Sequence, residues 1–407
     1  MNKQKSQVTM LMIIGLVLFI IVSLTFYLTR YSIKKQTIQN IKITNEAADT
    51  KPIKELVEKC LDKLAKDAVV LLGRQGGYIY KSQGGTLIDY PNDDEGRFFI
   101  KYNNLNVAYN IIALPRDFSV DKYSSDIPEY PWHTFPYQTE TSNEREKVFD
   151  GIFGLSNLPA FDASEGPNSI QTQIESYVDK NIARCADFSA FENIYSIVMN
   201  SSKTNVIIGT SDITVKSSIP IKIADISTNK FTELSDFSTN LNVRLRGMYY
   251  FAKDLIHNDI KNIQFNINNP RNNKDSFYVS SIKDANQQNN DDLIIITDQN
   301  SLIYGKPFEY IFSRKNRAPV LYYIKNKLRF DPGAKIIMES EIFHMLNINQ
   351  LTDAADPDED EVTIHLKWPL LPYDVPHDQK LPNFRIEVSD GKLSDFQNIE
   401  TVLIEHE

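Results

Sequence analysis

Cysteine is nearly absent from this 407-residue chain: Cys60 and Cys185 are the only two. Two thiols with no nearby pair of histidines do not make a zinc site. Histidine is also scarce, at six, and no two stand at His-x-x-x-His or His-Glu-x-x-His spacing. Glycine numbers only 15, and the cluster in "LLGRQGGYIYKSQGG" lacks the Gly-Lys-Ser/Thr of a phosphate cradle. Paired glycines there are expected to allow left-handed turns. Basic runs are missing from the body of the chain. With a formal net charge of −9 and a pI near 5.3, the balance argues against a nucleic-acid partner. The nearest approach to a serine elbow, "FGLSNLP" over 153–159, has Leu158 where that motif requires glycine. No reaction is legible, and the chain is expected not to be an enzyme.

What is present begins with a long apolar run. Val8 to Thr29 contains 22 residues without a charge, enough for a helix to cross about 30 Å of hydrocarbon. It ends in "FYLTRYSIKK", bulky and charged where a signal peptidase would cut. The reading is therefore an uncleaved transmembrane signal anchor over 8–29. Residues 1–7 are then a cytoplasmic N-terminus and 30–51 a polar stalk. Lysines and arginines flank the run on both sides, so charge alone does not orient it.

Residues 52–315 read as an α+β ectodomain, with a possible subdomain boundary near 205–230. One helix begins about Asp49 or Thr50 with Pro52 in its first turn, and Gly73 ends it. Its apolar face is Ile53, Leu56, Val57, Cys60, Leu61, Leu64, Ala68 and Leu71. A second helix carries Ile170, Ile174, Tyr177, Val178, Ile182 and Cys185, and a third, about 240–257, carries Leu245, Met248, Tyr249, Ala252, Leu255 and Ile256. A hairpin is expected about Asn103-Asn104, two or three strands over 205–226, and further strands near 262–268, 276–281, 293–297 and 307–313. Each cysteine lies on the apolar face of a helix. They are either a disulfide joining Cys60 to Cys185 or two separate buried thiols. Between the first two helices, 116–168 reads as irregular loop. There Tyr130, Trp132, Phe135 and Tyr137 either bind a glycan or protein partner or pin the loop to the domain.

From 316 to 407 the pattern changes to strands and turns. Asn316-Arg317-Ala318-Pro319-Val320 opens this part, Asp356-Pro357-Asp358-Glu359-Asp360 lies in its middle, and "FRIEVSDGKLSDFQNIETVLIEH" closes it. In that order these pieces resemble the immunoglobulin-like and cadherin-like modules of prokaryotic surface proteins. The departures are Glu359, where glycine is usual, and the insertion "WPLLPYDVPHDQKLPN". The resemblance implies an all-β sandwich outside the cell, with Val362, Ile364 and Leu366 facing its core. "VEKCLDKLA", "SIQTQIESYVDKNIARC" and "NVRLRGMYYFAKDLI" are similar to stretches of uncharacterised single-pass archaeal proteins.

Asp356, Asp358 and Asp360 at alternate positions either offer oxygens to calcium or form a solvated turn. A helix-loop-helix calcium site is excluded, because its twelfth position would be Lys367. Asp331, Asp353, Glu361 and Asp390 are the carboxylates available to complete a cadherin-type site. The whole reads as a single-pass, membrane-anchored binding or structural envelope protein acting in adhesion or surface assembly. Its expected partner is a protein or glycan at the cell surface. The alternatives are an extracytoplasmic hydrolase with an accessory module and a pilin-like filament subunit.

Overall fold

The computed structural model describes residues 50–89, 98–113, 153–321, 327–336, 338–349, 353–367, 373–375 and 383–404. Among them are four α-helices: α1 (Lys51–Arg74), α2 (Ile170–Cys185), α3 (Leu245–Lys261) and α4 (Glu339–Leu346). Pro52 occupies the first turn of α1, where a missing N–H removes no helical hydrogen bond. Lys66–Asp62 and Lys63–Asp67 ion pairs, one helical turn apart, line its wet side. Ile53, Val57, Cys60, Leu61, Leu64 and Ala68 are buried as their spacing predicts. Ala65, Val69 and Leu72 complete the face in place of Leu56 and Leu71, which are half-buried. Gly73 falls in the last turn. A Cβ there would stand 2.5 Å from the Glu309 carbonyl, so this helix end reaches the neighbouring strand only with glycine.

The strands up to residue 314 are β1 (Phe99–Tyr102), β2 (Leu105–Ile112), β3 (Leu155–Ser156), β4 (Tyr195–Met199), β5 (Lys203–Ile208), β6 (Ile213–Asp225), β7 (Phe231–Leu241), β8 (Phe277–Asn286), β9 (Asp291–Ile303) and β10 (Lys306–Arg314). One mixed sheet runs β1-β2-β10-β9-β8 with β3 on β2, and within it only β2 and β10 are parallel. β1 and β2 meet at Asn103-Asn104, both at positive φ, the turn geometry that suits the right-handed twist of a hairpin. β9 is covered on both faces. Ile294 and Ile296 join the main core under the helices, while Leu293 packs with Ile100, Val107, Tyr109 and Ile311 on the other side. This double coverage explains its unbroken apolar run.

The second sheet is built on β6, which pairs β5 along its first half, β4 along its second, and β7 on the opposite edge. Val206, Val215, Ile221 and Ile223 face α1 and α2. The two helices are joined by the Cys60–Cys185 disulfide, with Cα atoms 5.7 Å apart across a sequence separation of 125. Closing a loop of that length removes enough entropy from the unfolded chain to stabilise by about 5 kcal/mol. In α3 all six residues of the expected face are buried, and Asp259 is buried with them.

Beyond residue 316 the strands are β11 (Val320–Leu321), β12 (Lys327–Phe330), β13 (Lys335–Ile336), β14 (Ala354–Ala355), β15 (Thr363–Lys367), β16 (Tyr373–Asp374), β17 (Phe384–Ser389) and β18 (Ser394–Leu403). β12-β18-β17-β15 form one curled sheet in which β12 and β18 are parallel, while β11–β14 and β13–β16 are separate two-stranded pairs. Ile364 is buried, and Val362 and Leu366 pack against the same core.

The expected fold class is overturned. Instead of a transmembrane helix, an ectodomain and an all-β immunoglobulin-like sandwich, the described chain is α+β, with two mixed sheets and the antiparallel β4–β7 sheet. No helix among the described residues is long and apolar enough to cross a membrane. The run 8–29 lies outside the described residues. In the C-terminal part α4 interrupts the strands, and its Ile342, Phe343 and Leu346 fill the core from one helical face. Those residues at helical spacing in "ESEIFHML" outweighed the β-rich surroundings. The expected strand at 262–268 is absent, because asparagines there close turns instead.

Candidate functional site

The densest polar chemistry lies where the two parts of the chain meet, at residues 314–317. β10 delivers Arg314 at its end, and Arg317 follows in the connection. Their side chains are 0% and 1% exposed. An isolated buried guanidinium is prohibitively costly, so each must be met by carboxylates and carbonyls.

Arg314 donates from Nη1 to Asp259 Oδ1 at 2.9 Å and from Nη2 to Asp292 Oδ2 at 2.7 Å, and its Nε lies 3.2 Å from Asp358 Oδ1. Arg317 donates from Nε and Nη2 to Asp358 Oδ1 at 3.0 and 2.8 Å. Its backbone N–H takes the other Asp358 oxygen at 2.6 Å, and Nη2 also lies 2.7 Å from Asp259 Oδ2. Asp358 is therefore gripped by Arg314 at the end of β10 and Arg317 in the connection; Asp259 of α3 braces both arginines and Asp292 of β9 braces Arg314. Asp259 stands in the last turn of α3, at the negative end of the helix dipole, which makes a cationic partner there more necessary. Burial works against the Arg314 charge. Asp259, Asp358 and Asp292 together outweigh it and hold the guanidinium more firmly protonated than in water.

Lys283 of β8 completes the junction. Its ammonium lies 3.2 Å from Asp292 Oδ2 and donates to Asp360 Oδ1 at 3.1 Å and to the Asp358 carbonyl. Asp356 Oδ1 accepts the backbone N–H groups of Asp358 and Asp360, which folds the acidic loop into a tight turn. Its second oxygen has no hydrogen-bond partner among the described residues. Burial, reinforced by the nearby Asp358 charge, pushes the Asp356 carboxyl up to about 8. Glu359 occupies the left-handed region at φ 65°.

Of the three aspartates read as calcium candidates, the fold gives Asp358 to Arg314 and Arg317, Asp360 to Lys283, and Asp356 to backbone N–H groups. Asp390 accepts from Asn316 Nδ2 at 3.0 Å and Asp353 from the Asn349 N–H at 2.5 Å, so neither joins them. Among the described residues no group of three His, Cys, Asp or Glu is arranged to hold a metal ion. Tyr130, Trp132, Phe135 and Tyr137 lie outside the described residues.

Beside the junction an open cleft of about 530 Å³ separates the β8–β9 turn from the β17–β18 turn. Among the described residues, Asp291, Lys315, Asn316, Lys392 and Leu393 line it together with Gln288 and Asn289, and none of these is a serine, cysteine or histidine. Asp291 is itself engaged, accepting from Tyr109 Oη at 2.7 Å and from the Asn316 N–H at 2.9 Å.

Sequence reasoning missed Arg314, Arg317, Lys283, Asp259 and Asp292. A signal existed for two of them. Asp259 follows Leu255 and Ile256 on the same helical face, and Arg314 closes the apolar run of β10. A charge in an apolar pattern marks a buried pair, although the pattern does not name the partner. No family model, curated protein or solved structure matches this chain.

Proposed function

We propose that the chain is a non-catalytic binding or structural protein of the cell envelope, working outside the reducing cytoplasm. The observation that carries this reading is the Cys60–Cys185 bond, since protein disulfides form and persist in oxidising compartments. The junction supports the non-catalytic half. Asp259, Asp292 and Asp358 are each ion-paired to a buried guanidinium, so their contacts join the two parts of the chain. The membrane as a partner rests on the uncharged run Val8–Thr29. Adhesion or surface assembly with a protein or glycan rests on the likeness of the C-terminal motifs to surface modules.

A membrane-impermeant amine reagent applied to intact cells tests the location. Exposed lysines such as Lys222 and Lys327 are expected to be labelled before lysis. Labelling that appears only after lysis would overturn the reading.

A further inference from the structure

Asn200-Ser201-Ser202 is the only Asn-x-Ser/Thr tripeptide in the chain with x other than proline. That pattern is the acceptor signal for N-linked glycosylation, and it acts only where the chain meets the transferase outside the cytoplasm. The fold places it where an acceptor must lie. Asn200 to Ser202 form the whole connection between β4, which ends at Met199, and β5, which begins at Lys203. Asn200 and Ser201 are exposed. The Asn200 N–H donates to the Pro220 carbonyl at 2.9 Å, which fixes the backbone against the middle of β6. No described residue hydrogen-bonds the Asn200 side-chain amide.

We propose that Asn200 carries an N-linked glycan. This rests on the extracytoplasmic reading above, for which the Cys60–Cys185 bond is independent support. In the transfer, Nδ2 of Asn200 attacks C1 of the first sugar of an oligosaccharide carried on a polyprenyl phosphate or diphosphate. The C1–O bond to phosphate breaks as the C1–N bond forms. The phosphate leaves with the electron pair, and a base of the transferase takes the Nδ2 proton. The Ser202 hydroxyl, which such an enzyme must engage, is donated in the folded chain to Asp179 Oδ1 at 2.8 Å. Transfer therefore precedes the seating of α2 on β5, while the chain is still being delivered across the membrane. Once folded, the glycan stems two residues from Val198, which is 55% exposed. Its strand partner, the exposed Lys222, shows that the Val198 side chain lies on the face of the sheet turned away from α1 and α2. A glycan at this point covers apolar surface that would otherwise face water.

The test is peptide mass spectrometry on the full chain purified from the cells that naturally produce it, with the thiols counted in the same sample. The expected result is a glycan-sized mass increase on the peptide containing Asn200. Asn200→Gln made in the same cells loses that mass and keeps both the disulfide and the melting temperature. Ser202→Thr retains the mass, because threonine preserves the acceptor signal and the hydroxyl offered to Asp179. An unmodified Asn200 peptide in a chain whose cysteines are bonded would overturn the glycan and leave the location standing. An unmodified peptide together with two free thiols would overturn both.

Discussion

Two regions of this molecule are fastened by opposite means. Where α1 and α2 lie on the β4–β7 sheet, a hydrocarbon core is rimmed by hydrogen bonds made by Asp62, Gln171, Glu175 and Asp179 and sealed by one covalent bond. Where the C-terminal part meets the rest, the contact is a buried lattice of arginine, lysine and aspartate. The first kind of seam is non-directional and tolerates small shifts, because burial counts area and not angle. The second holds only when every charge is met, since an unpaired ion in a dry site is far costlier than a lost methyl group. The hydrocarbon seam therefore supplies stability, and the ionic seam fixes one relative placement of the two parts.

The sharpest way to break this contrast is to remove one charge. Arg317→Ala leaves Asp358 and Asp259 buried with Arg314 alone to meet both charges and is expected to cost about 3–5 kcal/mol, read from denaturant unfolding. Replacing Arg317 and Asp358 together by apolar residues of similar volume is expected to recover much of that loss. A double variant as unstable as the single one would mean that the ion pair itself, and not avoidance of an orphan charge, supplies the stability. On the hydrocarbon side, Cys60→Ser with Cys185→Ser is expected to cost about 2–5 kcal/mol. That loss should be independent of pH, because no titrating group belongs to the clasp, and thermal melts at pH 6 and pH 9 would check it.

The two regions should also part under pH. Asp356 titrates near 8 in the folded chain, far above an ordinary aspartate, and burial raises Asp360 and Glu359 in the same direction. The folded state thus holds protons that the unfolded state has released. Stability falls as pH rises from about 4, where the unfolded carboxyls ionise, to about 8, and changes little from this source above that. Asp356→Asn keeps the oxygen that accepts the Asp358 and Asp360 N–H groups while removing the titration. Its unfolding free energy is expected to lose most of the decline between pH 5 and 8. A variant curve parallel to that of the parent chain would show that Asp356 is not the source.

The same division decides what the sequence could reveal. Helices α1, α2 and α3 were legible because hydrocarbon burial imposes a 3.6-residue period, and that period located both cysteines on facing surfaces. β7 was not legible. It pairs along one edge of β6 with most side chains in water, so "FTELSDFSTNL" carries almost no apolar signal. The ionic seam was least legible, because its partners come from α3, β8, β9, β10, the linker and the acidic loop. Only the fold brings Asp259 to Arg317, 58 residues apart in sequence. The acidic loop stood out as charge, but in isolation its composition suits a bound cation as well as a tethered one. The tethered cations, Lys283 and the two arginines, lie 41 to 77 residues away.

One residue of that loop separates local from global control of its shape. Glu359 holds a left-handed backbone at φ 65°, which costs a non-glycine residue about 1–2 kcal/mol relative to its preferred regions. The surroundings impose it: Asp356 captures the N–H groups on either side, and the Glu359 N–H itself donates to the Asp356 carbonyl at 3.2 Å. Glu359→Gly removes the steric cost but gives the unfolded chain more freedom, so the net gain should be about 0.5–1 kcal/mol. If the junction fixes the loop, the gain appears as a higher denaturant midpoint with an unchanged slope. If local turn preference fixes it instead, the variant also keeps the same loop conformation when Arg317→Ala is added, and the two effects add. Non-additivity between Glu359→Gly and Arg317→Ala is the expected outcome, because the arginine grips the residue immediately before Glu359.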